Sequence, residues 1–300
     1  MKMPQPLFTI ITATYNRRDL LPRTIQSILN QTFKDFELFV IDNGSTDDTR
    51  YIVEQFRDSR IKYTLNPHPT KSCDAPRNLG IEMANGSLVS FLDDDDIWYP
   101  ERLEKVKNAF DRNPDVSVVC HYENKRVNGR VEEVLKHGPW TEDIFEILLY
   151  ERNCLSPCAT TIKTELLRGL NGFDLRKEFD AAADYDLWLR MTAQGAKIYF
   201  IQEPLGEFTL DGNNWSIVDP AFISRASHIF EKHITAFEKK PIFRISKKGM
   251  RRLLRLYYIA AQSFLKAGEY KNALKYYQKA FLFIILRPTL LVEFTRNSDS

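Results

Sequence analysis

Between residues 8 and 120, five short apolar runs alternate with segments whose apolar residues recur at helical spacing, and this alternation limits the fold more than any other feature. The runs fall at 8–11, 36–41, 61–65, 88–92 and 116–120. Between them Leu21, Ile25, Ile28 and Leu29 share a helical face, as do Ile52, Val53 and Phe56, and later Leu103, Val106 and Phe110. Residues 75–83 also read as helix. Ser45 with Asp48 three residues on resembles a capping box, and Pro100 suits a first helical turn. Strands alternating with helices imply a largely parallel sheet covered on both faces.

Beyond residue 120 the pattern is mixed, with strands expected at 159–162 and 196–200 and helices at 141–150 and 185–193. From about 220 onward every periodicity is helical, with strong helices at 251–266 and 271–282. Gly268, Tyr270, Ala273, Tyr277 and Ala280 match part of a tetratricopeptide repeat. A single repeat predicts a helical hairpin, since a solenoid needs several. The formal net charge of +2 gives no chain-wide attraction to nucleic acid. The four cysteines lack zinc spacing and read as reduced thiols. Residues 1–6 hold no signal-peptide core, and the apolar run 280–286 stops at Arg287 and Pro288, so a cytoplasmic location is expected. Segment 239–255 is rich in Lys and Arg, with Ile242, Phe243, Ile245, Leu253 and Leu254 interspersed. It reads as a helix with a solvated face or as a peripheral contact with the inner face of an anionic membrane.

Four aspartates, Asp93 to Asp96, stand directly past the fourth apolar run and before Ile97-Trp98-Tyr99-Pro100. Adjacent carboxylates repel one another, and a hard divalent cation such as Mg²⁺ or Mn²⁺ supplies a reason to keep them. In open α/β sheets ligands bind outside the carboxyl ends of strands, which is where this run falls. Three other segments occupy similar ends. At the first, Thr14-Tyr15-Asn16, backbone amides can meet a nucleotide and the Tyr15 ring can stack on a base. At the second, Asp42 of Asp42-Asn43-Gly44-Ser45 can accept hydrogen bonds from a base or ribose, or simply make a turn. At the third, Arg77 of Ala75-Pro76-Arg77-Asn78 can meet a base or phosphate, or lie on a solvated first turn.

Taken in order, these four segments, with Gly172-Phe173-Asp174 and Asp184-Tyr185-Asp186-Leu187-Trp188-Leu189-Arg190, resemble the inverting family 2 glycosyltransferases over residues 6–205. The resemblance implies a GT-A fold: α/β, a Rossmann-like, mostly parallel sheet flanked by helices, here with a C-terminal helical extension. Residues 1–120 would be the nucleotide-sugar half, 121–218 the acceptor half and 219–300 the extension. It further implies a UDP- or dTDP-sugar donor, Mn²⁺ or Mg²⁺, and a hydroxyl acceptor on a glycan, a lipid-linked glycan or a protein. By analogy Thr14, Tyr15, Asn16, Asp42 and Arg77 belong to the nucleotide site. Asp95 would bind the metal directly, and Asp93 would contact the ribose or a metal-bound water. Asp94 fills the variable position beside the nucleotide, and Asp96 supports the others.

Cleaving a sugar–phosphate bond leaves a diphosphate that a metal can stabilise, and the attacking hydroxyl must lose a proton to a base. The resemblance assigns that base to Asp184, with Asp180 and Asp186 as alternatives. Two departures stand out. Ala183 occupies the place of the family's usual Glu, and Phe208 to Trp215 contains no His, leaving Asp211 or Asn213 as substitutes. A catalytically silent scaffold working through its C-terminal helices is the alternative reading, and those helices also offer a surface for self-association. Trp188 reads as core ahead of sugar-stacking.

Overall fold

The computed structural model describes residues 5–179, 182–210 and 222–287. Its strands are β1 Phe8–Thr14, β2 Phe36–Asp42, β3 Ile61–Leu65, β4 Leu88–Phe91, β5 Ile97–Trp98, β6 Val118–Val127, β7 Arg130–Leu135, β8 Thr160–Lys163 and β9 Ile198–Leu210. The helices are α1 Leu21–Leu29, α2 Thr49–Glu54, α3 Asp74–Met83, α4 Arg102–Arg112, α5 Ile144–Tyr150, α6 Thr164–Gly169 and α7 Ala183–Ala193. They continue with α8 Phe222–Glu238, α9 Lys247–Lys266 and α10 Tyr270–Leu286.

Among the described residues the strands form one sheet in the order β3-β2-β1-β4-β8-β6-β9-β5, with β7 paired to β6. The pairs β1–β2, β1–β4, β2–β3 and β6–β9 are parallel, while β8 runs antiparallel between β4 and β6. β1, β2 and β4 are buried along nearly their whole length, which is why they read as continuous apolar runs and not as alternating ones. The core on one face joins Phe8, Ile10, Leu38 and Val40 to Leu21, Ile25 and Ile28 of α1 and Leu103 and Val106 of α4. Register aligns the carboxyl ends: Thr14 lies beside Asp42, and Phe91 beside Ile11.

Residues Met1–Glu142, Cys154–Asp174 and Arg190–Gly212 form one compact unit, and Asp143–Asn153, Leu175–Leu189 and Asn213–Ser300 form the other. These units interleave along the chain, whereas the three-way division at 120 and 218 is one of proposed role. In the second unit α9 and α10 make the expected hairpin. Gly268 turns it at φ 76°, and Tyr257 stacks on Phe283 with ring centroids 5.7 Å apart. No described helix is long and apolar enough to cross a membrane.

The expected capping box is not formed. Ser45 Oγ instead accepts the Asn16 amide at 2.9 Å, and α2 starts at Thr49, whose amide donates to Asp47 Oδ1 at 3.0 Å. β6 and β9 outrun their apolar cores by several residues, because their continuations bury polar side chains that satisfy one another: Tyr99 donates to Glu207 at 3.0 Å, and Asn124 donates to Tyr99 at 2.7 Å.

Candidate active site

At the carboxyl edge of the parallel strands, the loop after β1 is tied to the loop after β2. Asn16 adopts φ 52° and its Oδ1 accepts the Thr46 amide at 2.8 Å. Asp42 is buried, and its carboxylate is taken up by the fold. Oδ1 accepts the amides of Gly44 at 3.0 Å and Ser45 at 2.7 Å, and Oδ2 accepts the Tyr63 hydroxyl at 2.6 Å. Tyr15, by contrast, is 56% exposed and presents a free-standing ring at the same edge.

Arg77 is not on a solvated turn. It is buried on α3, donates to Asp93 Oδ1 at 2.6 Å and lies 3.7 Å from Asp74. Its guanidinium sits 5.9 Å from the Phe91 ring centroid and 5.5 Å from that of Phe173. Asn78, the next residue, exchanges hydrogen bonds of 2.9 and 2.8 Å with the backbone of Phe173. The Gly172-Phe173 segment is thereby fixed against the helix that orients Asp93.

The four aspartates occupy four different environments. Asp94 Oδ1 lies 3.7 Å from Arg17 Nε, yet burial and then the charges of Asp95 and Asp93 outweigh Arg17 and the Thr14 hydroxyl and push its pKa up to about 7. Asp95 is partly exposed, and its carbonyl accepts Arg23 Nη2 at 2.6 Å. Asp96 is buried. Its Oδ1 accepts the Thr209 amide at 2.7 Å, and burial followed by Asp95, Asp93 and Glu123 drives its pKa well above the usual carboxylate range. Ligating atoms of Asp93, Asp96 and Cys158 lie within 4.8 Å of one another. Burial first, then the neighbouring carboxylates, raise the Cys158 pKa well above its ordinary value, and sulfur is a softer donor than Mg²⁺ or Mn²⁺ prefers. The hard donors at this edge are carboxylate oxygens, and they suit a hard divalent cation.

Behind the run, Arg102 is fully buried and bonds to neutral groups: Ser90 Oγ at 2.9 Å, Thr161 Oγ1 at 2.8 Å and His121 Nε2 at 3.3 Å. Burial draws its pKa down to about 9. It stacks 3.8 Å from the Trp98 ring centroid, and Trp98 Nε1 donates to the Cys158 carbonyl at 2.8 Å. The Ile97-Trp98 that follows the aspartates is therefore a structural anchor.

In the second unit, Asp184 lies in the first turn of α7, partly exposed, with its Oδ1 accepting the Tyr185 amide at 2.7 Å. Asp186 is buried between His233 Nε2 at 2.8 Å and Lys232 Nζ at 2.9 Å, so that alternative base is committed to α8. Ala183 and Trp188 are both buried, and Trp188 is core as expected. Asp180, Asp211 and Asn213 lie outside the described residues.

A family model, "Glycosyl transferase family 2", matches residues 9–170, more than half of the chain. The chain belongs to glycosyl transferase family 2.

Over 278 residues this family 2 glycosyltransferase is 29% identical to the UDP-Glc:alpha-D-GlcNAc-diphosphoundecaprenol beta-1,3-glucosyltransferase WfgD of Escherichia coli, covering 91% of this chain and 98% of the relative. A stretch of 93 residues is 44% identical to the GalNAc(5)-diNAcBac-PP-undecaprenol beta-1,3-glucosyltransferase of Campylobacter jejuni, 30% of either chain. Among solved structures, S. aureus TarS 1-349 in complex with UDP-GlcNAc matches with a TM-score of 0.63 at 19% identity over 89% of both chains. The mannosyltransferase PcManGT from Pyrobaculum calidifontis in complex with GDP-Man and Mn²⁺ matches at 0.58 and 16%, over 97% of this chain and 87% of that one. The fold is of the GT-A type.

For this glycosyltransferase, the structure brings Thr14, Arg77 and the four aspartates to one edge of the sheet, and it engages Asn16 and Asp42 in loop structure. Sequence reasoning gave no role to Arg17, Arg23 or Cys158, which the structure places against Asp94, the Asp95 carbonyl and the Asp93 amide. The first two had a usable signal, since they closely follow a strand-end motif. Cys158 had none, because the sheet brings it to Asp93 from 65 residues away.

Proposed function

We propose that this glycosyltransferase is a metal-dependent, inverting enzyme that moves one hexose from a UDP- or dTDP-sugar to a hydroxyl of a lipid-linked glycan during surface polysaccharide assembly. The observation that carries this reading is the carboxylate run past β4, where Arg77 answers Asp93 while Asp94 and Asp96 are pushed toward protonation. Such a cluster is short of positive charge in a way that Mn²⁺ or Mg²⁺ meets. Asp93 and Asp95, both partly exposed at this edge, would hold the ion. When bound, it supplies Lewis-acid stabilisation to the leaving diphosphate. Exposed Tyr15 stacks on the base, and the amides after Thr14 line the nucleotide.

Asp184 takes the proton of the acceptor hydroxyl as it attacks the sugar on the face opposite the leaving group, which inverts the anomeric centre. With Ala183 in place of an acidic neighbour, the acceptor is held by other groups. The lipid-linked acceptor is supported by the diphosphoundecaprenol substrate named for the Escherichia coli relative.

A thermal-shift screen of the full chain against UDP-, dTDP- and GDP-sugars, with and without Mn²⁺, tests this. A ligand that binds only the native state raises the midpoint, by mass action about 2.7 kcal/mol of stability at a hundred times its Kd. A UDP- or dTDP-sugar should raise it more with Mn²⁺ present. If no nucleotide sugar shifts it under either condition, the silent-scaffold reading takes over.

A further inference from the structure

The outward side of the α9–α10 hairpin joins exposed apolar side chains to unbalanced positive charge. The two helices carry nine Lys and Arg and no Asp or Glu, although the whole chain is only +2. On α10, Ala273, Tyr276, Ala280 and Phe283 face inward, which leaves Leu274, Phe281 and Ile285 at 59%, 60% and 59% exposure. Steps of seven and four residues set these three within about 40° of one another around the helix. On α9, Leu253, Tyr257 and Phe264 are buried, and Arg251, Arg255 and Tyr258 stand on the other side.

The two outward sides are continuous. Tyr258 meets the Tyr277 ring at 6.2 Å, and Gln262 donates to the Tyr277 hydroxyl at 2.6 Å. Phe281 lies one turn beyond Tyr277, and antiparallel pairing brings Arg251 toward the Ile285 end. Elsewhere on these helices Arg252 donates to the Glu151 carbonyl at 2.6 Å and Lys279 to Glu231 at 2.8 Å.

A contiguous exposed apolar stripe marks an interaction surface, and the charge selects its occupant. A second copy would set one acid-free, cationic face against another and repel it. An anionic bilayer answers both features, since apolar side chains enter the boundary between headgroups and acyl chains while cations meet lipid phosphates. We propose that the α9–α10 face docks this protein onto the surface of an anionic lipid bilayer.

Co-sedimentation of the full chain with vesicles tests this without donor or acceptor, so its outcome is independent of the enzymatic reading. Binding is expected to vesicles of phosphatidylcholine mixed with phosphatidylglycerol and not to phosphatidylcholine alone, and it should weaken as salt screens the charge. Each cation near the surface contributes about fivefold in partition. Arg251→Glu with Arg255→Glu should therefore lower binding by about 25-fold or more. Phe281→Ser with Ile285→Ser should also lower it while keeping the salt dependence. All four side chains are exposed, and an unchanged thermal midpoint shows that a variant is folded. Three results would overturn the proposal: no binding, equal binding to neutral and mixed vesicles, or salt-independent binding that both folded double variants retain. A lipid-independent dimer that Ile285→Ser dissociates would assign the face to a second copy instead.

Discussion

Arg77 is the residue through which several distant parts of the sequence become one site. It is buried against two aromatic rings and holds Asp93 at 2.6 Å, beside a buried Asp74. Replacing it with Leu leaves those carboxylates unanswered, and breaking one side of a buried ion pair costs roughly 3–5 kcal/mol. Because Asp93 is partly exposed, the expected loss for Arg77→Leu is at the low end, about 3 kcal/mol by urea unfolding. A change under about 1 kcal/mol would show that the pair is solvated. Asp94 behaves in the opposite sense. Its folded pKa of about 7 stands above the unfolded value, so between about pH 4 and 7 the native state holds a proton that the unfolded chain has lost. Stability of the metal-free chain therefore falls as pH rises through that window. In chelator, Asp94→Asn should lose less stability than wild type between pH 4.5 and 8. Parallel curves would sink the assignment. The same proton must leave if the charged carboxyl is to face a cation, so Mn²⁺ affinity should rise with pH toward 7.

At the level of elements, the position of α3 sets the position of Arg77, and α3 lies very close to β1. A Cβ at Gly80 would stand 2.6 Å from Ile11 Cγ2 and 2.9 Å from its Cγ1 and Cδ1, in a side chain that is buried. Gly80→Ala should cost about 1–3 kcal/mol, as overpacking does, and should weaken donor binding because Arg77 moves with the helix. A stable variant with unaltered donor affinity would contradict this close-packing account. The β-α alternation that places these elements was legible in the sequence because β1, β2 and β4 are buried on both faces and read as unbroken apolar runs. The far halves of β6 and β9 were not, since they bury Glu123 and Glu207 in a polar network that no apolar periodicity announces. The β6–β7 hairpin did carry a signal. Asn128-Gly129 turns it with φ of 47° and 79°, the two-residue turn that an Asn-Gly pair favours. The order of the motifs was enough to read the family from the sequence, while the hydrogen-bond partners of the individual side chains were not legible there. Asn16 and Ser45 bond across the loops after β1 and β2, and Asp42 accepts amides of its own loop and the Tyr63 hydroxyl, partners that no sequence pattern announces.

Across the whole molecule, positive charge gathers on the two last described helices, while the carboxylates that define the chemistry gather at one sheet edge. Under the proposed function the second gathering would hold a metal-bound diphosphate, and under the proposed docking the first would keep the enzyme beside a lipid-anchored acceptor. The central claim is that Asp184 takes the proton of the acceptor hydroxyl in a sugar transfer. Its most direct test is the rate at which nucleotide diphosphate is released in the presence of acceptor, Mn²⁺ and the donor found by thermal shift, for wild type and for Asp184→Asn. The variant should be slower by about 10²–10⁴-fold, the usual range for losing a general base, with its donor-induced thermal shift unchanged. Turnover of Asp184→Asn at the wild-type rate would contradict it.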